Sequence, residues 1–348
     1  MNTSLSSMIV TLALAAASAE VVVLEPRAVT LDVIESEGFP AAHRLPETPN
    51  EATGRDWVGE WREALASERC GALTVGDVIA RVHGLRDDPA ALAAELDRLL
   101  ADCPDRRERW AGSLLELLKL QGLRSESWNP AKNLSDDGIL QGPRWDISRI
   151  GTEPWRSLKG SDDLFQSAVL IFADLEAVKA AENDYPTYPQ QVGTTYEAIY
   201  PIADKNLVVR EEVDGVERTV ASSLQLHFRC DLPFPFDSYS CDLDILNTVN
   251  RHGELVTDIW TDSRDFYWMA GRDVFLPIFE SDGSFVCLLL IRQFGFDLRG
   301  VPDGTDARLE GLRCSLGNLV RRAEARYAEW GGPPRTVRGA LPAFDVLR

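Results

Sequence analysis

Between Leu207 and Ile291, short apolar segments follow one another with little more than a turn between them, and this rhythm narrows the fold more than any other feature of the chain. Leu207-Val208-Val209 leads to a turn at Asp214-Gly215, and Val220 to Arg229 alternates through Leu224, Leu226 and Phe228. Cys241 to Ile245, Leu255 to Trp260, Phe266 to Leu276 and Phe285 to Ile291 follow, with turns at His252-Gly253 and Asp282-Gly283. Strands joined by such short turns pair antiparallel. The expected fold class is α+β, an antiparallel β-sandwich with an N-terminal helical region and a C-terminal helix.

Helical periodicity flanks the strands on both sides. Trp57 to Glu68 is followed by a helix from about Thr74, and Asp88-Pro89 then offers an N-cap with proline at the first helical position, ahead of Leu92, Leu96, Leu99 and Leu100. A further helix carries Trp110, Leu114, Leu117 and Leu118 on one face and stops near Gly122. Near the C-terminus Leu309, Leu312, Leu316, Leu319 and Ala323 recur at 3-4 spacing, as expected of a terminal helix docked on its own domain or of a short coiled-coil seam. The expected organisation is a signal peptide over 1–19, a mainly helical region over 20–125, a β-sandwich over 126–298 and a helical tail over 299–348.

Charge and apolar run length exclude several functions. Lys plus Arg number 36 against 55 Asp plus Glu, and a formal charge of −19 repels phosphate backbones and anionic lipid surfaces, so no nucleic-acid partner is expected. The longest apolar runs after the N-terminal segment, Ala168 to Ala173 and Phe285 to Ile291, are strand-sized, well short of the ~20 residues of a membrane helix. Met8 to Ala19 is apolar and ends in Ala17-Ser18-Ala19, which fits a short signal peptide, although no Lys or Arg precedes it. On that reading the chain is secreted or displayed at the cell surface. Six cysteines form no CxxC pair, and neither a metal site nor a cofactor is expected.

The most unusual local sequence is Cys230-Asp231-Leu232-Pro233-Phe234-Pro235-Phe236-Asp237-Ser238-Tyr239-Ser240-Cys241. Two prolines stiffen the loop, its aromatics anchor it and Asp237 is suited to cap its turn. A disulfide across the ten intervening residues would remove about 3 kcal/mol of unfolded-chain entropy. The alternative is a surface hairpin with two free thiols.

This pattern resembles the signature loop of the Cys-loop, or pentameric ligand-gated ion channel, extracellular domains, in its residues Cys230, Asp231, Leu232, Phe234, Pro235, Phe236, Asp237 and Cys241. The strand and turn before it, the aromatic strand Phe266-Tyr267-Trp268 and the segment Phe285 to Arg292 are similar to their counterparts in that family, and Trp128-Asn129-Pro130 looks like its Trp-x-Pro element. The resemblance implies an Ig-like sandwich of the neurotransmitter-receptor ligand-binding type, a Cys230–Cys241 disulfide, and a basic residue, Arg292, where the family's first membrane helix begins. It implies binding of a small molecule at a subunit interface rather than catalysis, in a homo-oligomer or beside a membrane-bound channel partner. Asn247, Trp260, Asp262, Tyr267, Trp268 and Glu280 are the residues it places nearest a ligand. The span from Gln293 to Arg348 reads as containing no membrane helix, so no pore is expected of this chain.

Two other readings compete. An interaction protein would keep the sandwich without a ligand and present residues 50–124 as its surface. A hydrolase would use Asp258, Asp262 and Asp265 beside an aromatic wall. No GxSxG, phosphate-binding glycine loop or HExxH is present, and clustered acids on so acidic a chain are usually a solvated face. Tyr267 and Trp268, adjacent on one strand, are expected on opposite faces, so only one of them can line a site. Cys287, inside a continuous apolar run, is expected to be a buried free thiol.

Overall fold

The computed structural model describes residues 26–46, 56–106, 139–184, 196–230, 239–299 and 305–331, apart from residues 87, 143, 148, 149, 151, 159–162, 214 and 264. The expected signal peptide, the helix around Trp110 to Gly122, Trp128-Asn129-Pro130 and the loop residues Asp231, Leu232, Phe234, Pro235, Phe236 and Asp237 lie outside the described residues.

After short helical turns within residues 31–43, three longer described helices follow, each with a start legible in sequence. In α1 (Trp57–Ser67) Asp56 accepts from the Gly59 N–H. In α2 (Val75–Val82) Thr74 and Asp77 form a reciprocal capping box. In α3 (Pro89–Leu99) Asp88 accepts from Ala90 and Ala91, with proline in the first turn. Strand β1 (Asp163–Ile171), helix α4 (Leu175–Glu182) and strand β2 (Tyr196–Pro201) follow. Then come β3 (Leu207–Val213), β4 (Val216–Cys230), β5 (Tyr239–Val249), β6 (Leu255–Thr261), β7 (Phe266–Phe279) and β8 (Phe285–Leu298), and the chain turns into the long helix α5 (Thr305–Trp330).

Eleven of the described strands form one sheet, in the order Arg27–Ala28, β3, β4, β5, β6, β7, β8, β1, Leu140–Gln141, with β2 alongside β4 and Trp145–Asp146 alongside β1, while Arg69–Cys70 and Leu73–Thr74 pair separately. Among the described residues only the Arg27–Ala28 contact is parallel. The hairpin turns after β5 and β7 place Gly253 at φ 74° and Gly283 at φ 92°, a left-handed backbone that an L side chain would strain.

The expected Ig-like sandwich is corrected by this arrangement. A sandwich buries one face of each of two sheets, whereas here a single sheet buries both of its faces under helices. Leu289 and Ile291 of β8 join a cluster with α1, α2 and α3 on what we term the front face; Leu288 and Leu290 join α4 and α5 on the back. An unbroken apolar run in one strand is the signature of such two-sided burial. The helical region therefore packs directly on the sheet. Asp77 of α2 accepts from the backbone N–H and hydroxyl of Ser281 in the β7–β8 turn, both at 3.0 Å. Burial pushes the Asp77 carboxyl up, but the hydrogen bonds from Ser281 and Thr74 outweigh it and hold the pKa at about 2.

The cysteines differ from expectation. Cys70 and Cys103 form a disulfide, with 5.8 Å between their Cα atoms, that ties the segment before α2 to the end of α3. Cys241 is buried and in no disulfide, so the expected Cys230–Cys241 bond is not formed. The register explains why: Cys230 stands opposite Tyr239 and Cys241 opposite Phe228, leaving the cysteines two positions out of step across the hairpin. Cys287 is a buried free thiol, and its burial, with Glu324 nearby, pushes its pKa well up. Arg292 lies within β8 and pairs with Asp273 of β7, inside the sheet rather than at a membrane boundary. Among the described residues no helix is long and apolar enough to cross a membrane.

Candidate functional site

Two polar rungs cross the middle of this otherwise apolar sheet, one on each face and one residue apart. On the front, Gln166, Gln293, Arg272 and Asp258 are successive cross-strand partners on β1, β8, β7 and β6. On the back, Ser167, Arg292, Asp273, Thr257, Asn247 and Ser222 are partners across six strands. The strands carry them as polar pairs inside apolar runs: Gln166-Ser167, Thr257-Asp258, Arg272-Asp273 and Arg292-Gln293.

The front rung is buried and partly paired. Gln293 donates to Gln166 at 3.0 Å, and Arg272 donates from Nε to Asp258 Oδ1 at 2.8 Å. The Arg272 Nη1 donates to the Pro46 carbonyl at 2.8 Å, which leaves Nη2 with no hydrogen-bond partner among the described residues. Pro46 ends an N-terminal strap, residues 26–46, that lies across the front of the sheet. His43 stacks on Trp260 with ring centroids 4.5 Å apart, Trp155 meets Trp260 edge-on, and the Trp155 indole donates to the Ala42 carbonyl. Burial lowers the His43 pKa, and the nearby Asp262 opposes the shift.

Between the strap, α1 and the sheet lies a cleft of about 550 Å³. Asp258, Arg272 and Gln293 form its polar floor; Leu45, Val58, Val209, Val256 and Val274 form apolar walls; and Arg44 and Arg62 stand at its sides. Arg62 is held by both carboxylate oxygens of Glu254, at 2.6 and 2.8 Å. Arg44 is held less completely. Its Nη2 lies 3.3 Å from Glu35 Oε1, yet Nε and Nη2 are both sealed from solvent without a hydrogen bond. The volume suits a small organic molecule, and apolar walls around a few polar groups are the usual composition of such sites. Among the described residues no group of three His, Cys, Asp or Glu side chains is placed to hold a metal ion.

The residues singled out from sequence are scattered by this geometry. Trp260 and Trp268 are both buried on the front face in one cluster with the strap. Tyr267 points the other way, 49% exposed, with the Arg299 guanidinium 4.4 Å from its ring centre. Asn247 is buried in the back rung, where it accepts from Lys179. Asp262 is exposed, and Glu280 sits in the β7–β8 turn, bonded to Ser284. The proposed acidic cleft does not assemble: Asp258 is buried against Arg272, whereas Asp265 accepts from the Ser240 N–H near the other end of the strands. Arg44, Arg62, Arg272, Gln293 and Lys179 were not foreseen. Charged or amide pairs inside strand-sized apolar runs are the signal that marks two of them, Arg272 and Gln293.

No family model and no curated protein sequence matches this chain. Its fold is similar to that of a START superfamily protein from Mycobacterium smegmatis, at 16% identity and a TM-score of 0.28, covering 48% of this chain and 98% of that one. A STAR-related lipid transfer protein from Xanthomonas axonopodis matches at 10% identity and a TM-score of 0.31, covering 49% and 86%. The aromatase/cyclase Zhui from Streptomyces sp. R1128 matches at 14% and 0.28, covering 48% and 96%. Likeness this loose assigns no ligand and no residue role to the present chain. It does correct two expectations. The structures this chain is similar to are START-superfamily, lipid-transfer and aromatase/cyclase proteins rather than Cys-loop channel domains, and because they include enzymes, the expectation of a chain without catalytic activity is withdrawn.

Proposed function

We propose that this protein binds a small, largely apolar molecule in the front cleft between the strap, α1 and the sheet. The observation that carries the reading is the composition of that cleft: valine and leucine walls over a floor of buried Asp258, Arg272 and Gln293 whose donors are not all used. Burying apolar ligand surface supplies affinity at roughly 25 cal/mol per Å², and the polar floor orients what enters.

The test is binding of N-phenyl-1-naphthylamine, an uncharged dye that brightens in apolar surroundings. Thr248 lines the cleft from β5 and is only half-buried, so Thr248→Trp fills the space without removing a core side chain. The dye should bind the parent protein and lose at least about tenfold in affinity for the Thr248→Trp variant, since filling the space removes the apolar contacts. Unchanged dye binding by a folded Thr248→Trp variant would move the ligand elsewhere.

A further inference from the structure

We infer that the cleft selects ligands carrying a carboxylate, held by Arg44 and the free edge of Arg272; this rests on the cleft being the binding site. Several hydrogen-bond donors on the front face lack an acceptor among the described residues. Arg44 Nε and Nη2 are sealed without an acceptor, and Arg272 Nη2 has none. Farther along the same face, the buried indole N–H groups of Trp260 and Trp268 also have none. A buried cationic donor without an acceptor is costly, so an oxygen that satisfies it is held firmly, the more so when the oxygen is ionised.

Charge sets the sign of the selection. At a formal charge of −19 the chain repels anions at long range, so a carboxylate is retained only where guanidinium groups face it directly. Arg62 is held by both carboxylate oxygens of Glu254, and Arg272 already shares Asp258. Arg44 keeps two donors without a hydrogen bond, and Glu35, its ionic contact, is itself partly exposed. A carboxylate on a short apolar chain meets both requirements of the site: the oxyanion pairs with Arg44 and Arg272, and the alkyl portion lies against Leu45, Val58 and Val256.

The experiment compares dodecanoate with 1-dodecanol as competitors of N-phenyl-1-naphthylamine on the full chain. Their tails are equal, so the ratio of their displacement constants reports the carboxylate alone. The parent protein should prefer dodecanoate by about tenfold, as expected of one charge-assisted hydrogen bond. Arg44→Gln should bring that ratio to near one, and Arg44→Lys, which keeps the charge, should retain part of it. Equal displacement by the two competitors, or a preference that Arg44→Gln leaves intact, overturns the carboxylate while leaving the cleft in place. Dye binding that ignores Thr248→Trp overturns the cleft itself. Arg44 is partly exposed, and circular dichroism of the variants establishes that a lost preference is not lost folding.

Discussion

The two polar rungs cross the same strands one residue apart, yet they end differently. On the back, the Lys179 ammonium donates to Asn247 at 2.8 Å, Thr257 at 2.9 Å and Glu182 at 2.6 Å, which uses all three of its protons. Arg292 grips both oxygens of Asp273 and reaches Ser315 of α5 at 2.9 Å. The two cations of that row, Lys179 and Arg292, thus end on acceptors supplied by the sheet or its covering helices. On the front, Arg272 and Arg44 keep donors that no described residue satisfies with a hydrogen bond. A saturated row fixes the register of sheet against helix, because any slip would strand buried charges. An unsaturated row at the edge of a cleft keeps capacity for a ligand.

Perturbation should therefore cost stability at the back and binding at the front. The largest effect is expected for Asp273→Ala, which leaves the Arg292 guanidinium buried without its counter-ion; urea unfolding should show a loss of about 3–5 kcal/mol. A loss under about 1 kcal/mol, the level of an exposed pair, would erase the distinction between the rungs.

The covering layers differ as well, and the next largest effect separates them. The front helices are stapled by Cys70–Cys103, whereas no described disulfide joins α4 or α5. Replacing both cysteines by serine should cost roughly 2–4 kcal/mol of the front layer's stability. Hydrogen exchange should rise across α1, α2 and α3 while α4 and α5 change little. A uniform rise would mean that the two layers unfold as one unit.

A smaller loss is expected for Lys179→Met, which keeps the side chain's length against Phe275 but takes the ammonium's hydrogen bonds from Asn247 and Thr257, leaving those oxygens the 2.7 Å bond that Thr257 donates to Asn247. Removing hydrogen bonds from buried acceptors costs roughly 1–3 kcal/mol. Dye binding in the front cleft should be unchanged at the same time, since Lys179 lies on the other face.

How much of this was legible depends on whether the signal is local. Helix starts at Asp56, Thr74 and Asp88 and hairpin turns at Gly253 and Gly283 are set by adjacent residues, and the sequence shows them. The partner that covers an apolar strand is not local. Phe285 to Ile291 reads equally as one face of a sandwich core or as a strand buried on both sides, and only the helices packed against Leu288 and Leu289 decide. Cys230 and Cys241 flank a tight loop, but the register that holds them two positions apart is set by pairing along the whole of β4 and β5. The rungs were visible as polar pairs in apolar strands; their alignment across the sheet was not, because it depends on the registers of several hairpins at once. Arg44 carries no mark in the sequence at all, since its role comes from a strap crossing strands that lie far away along the chain.

The smallest effect expected is a pH response confined to the front. Burial lowers the pKa of His43 from its ordinary 6.5, even though Asp262 opposes the shift. Below that ordinary value the unfolded strap takes up a proton that the stacked ring resists, so proton binding favours release of the strap. The hold of His43 on Trp260 is thus fully present above pH 6.5, weakens as pH falls through it, and stops changing once the pH passes below the lowered folded value. Total stability averages over the whole chain and would blur the effect. Hydrogen exchange of residues 34–46, with α4 as the internal reference, isolates it. Between pH 7.5 and 5.5, after correction for intrinsic exchange rates, the strap should lose protection relative to α4, and His43→Gln should abolish the difference. A strap and helix that respond in parallel would show that His43 does not gate the front face, and would leave its stacking on Trp260 as packing alone.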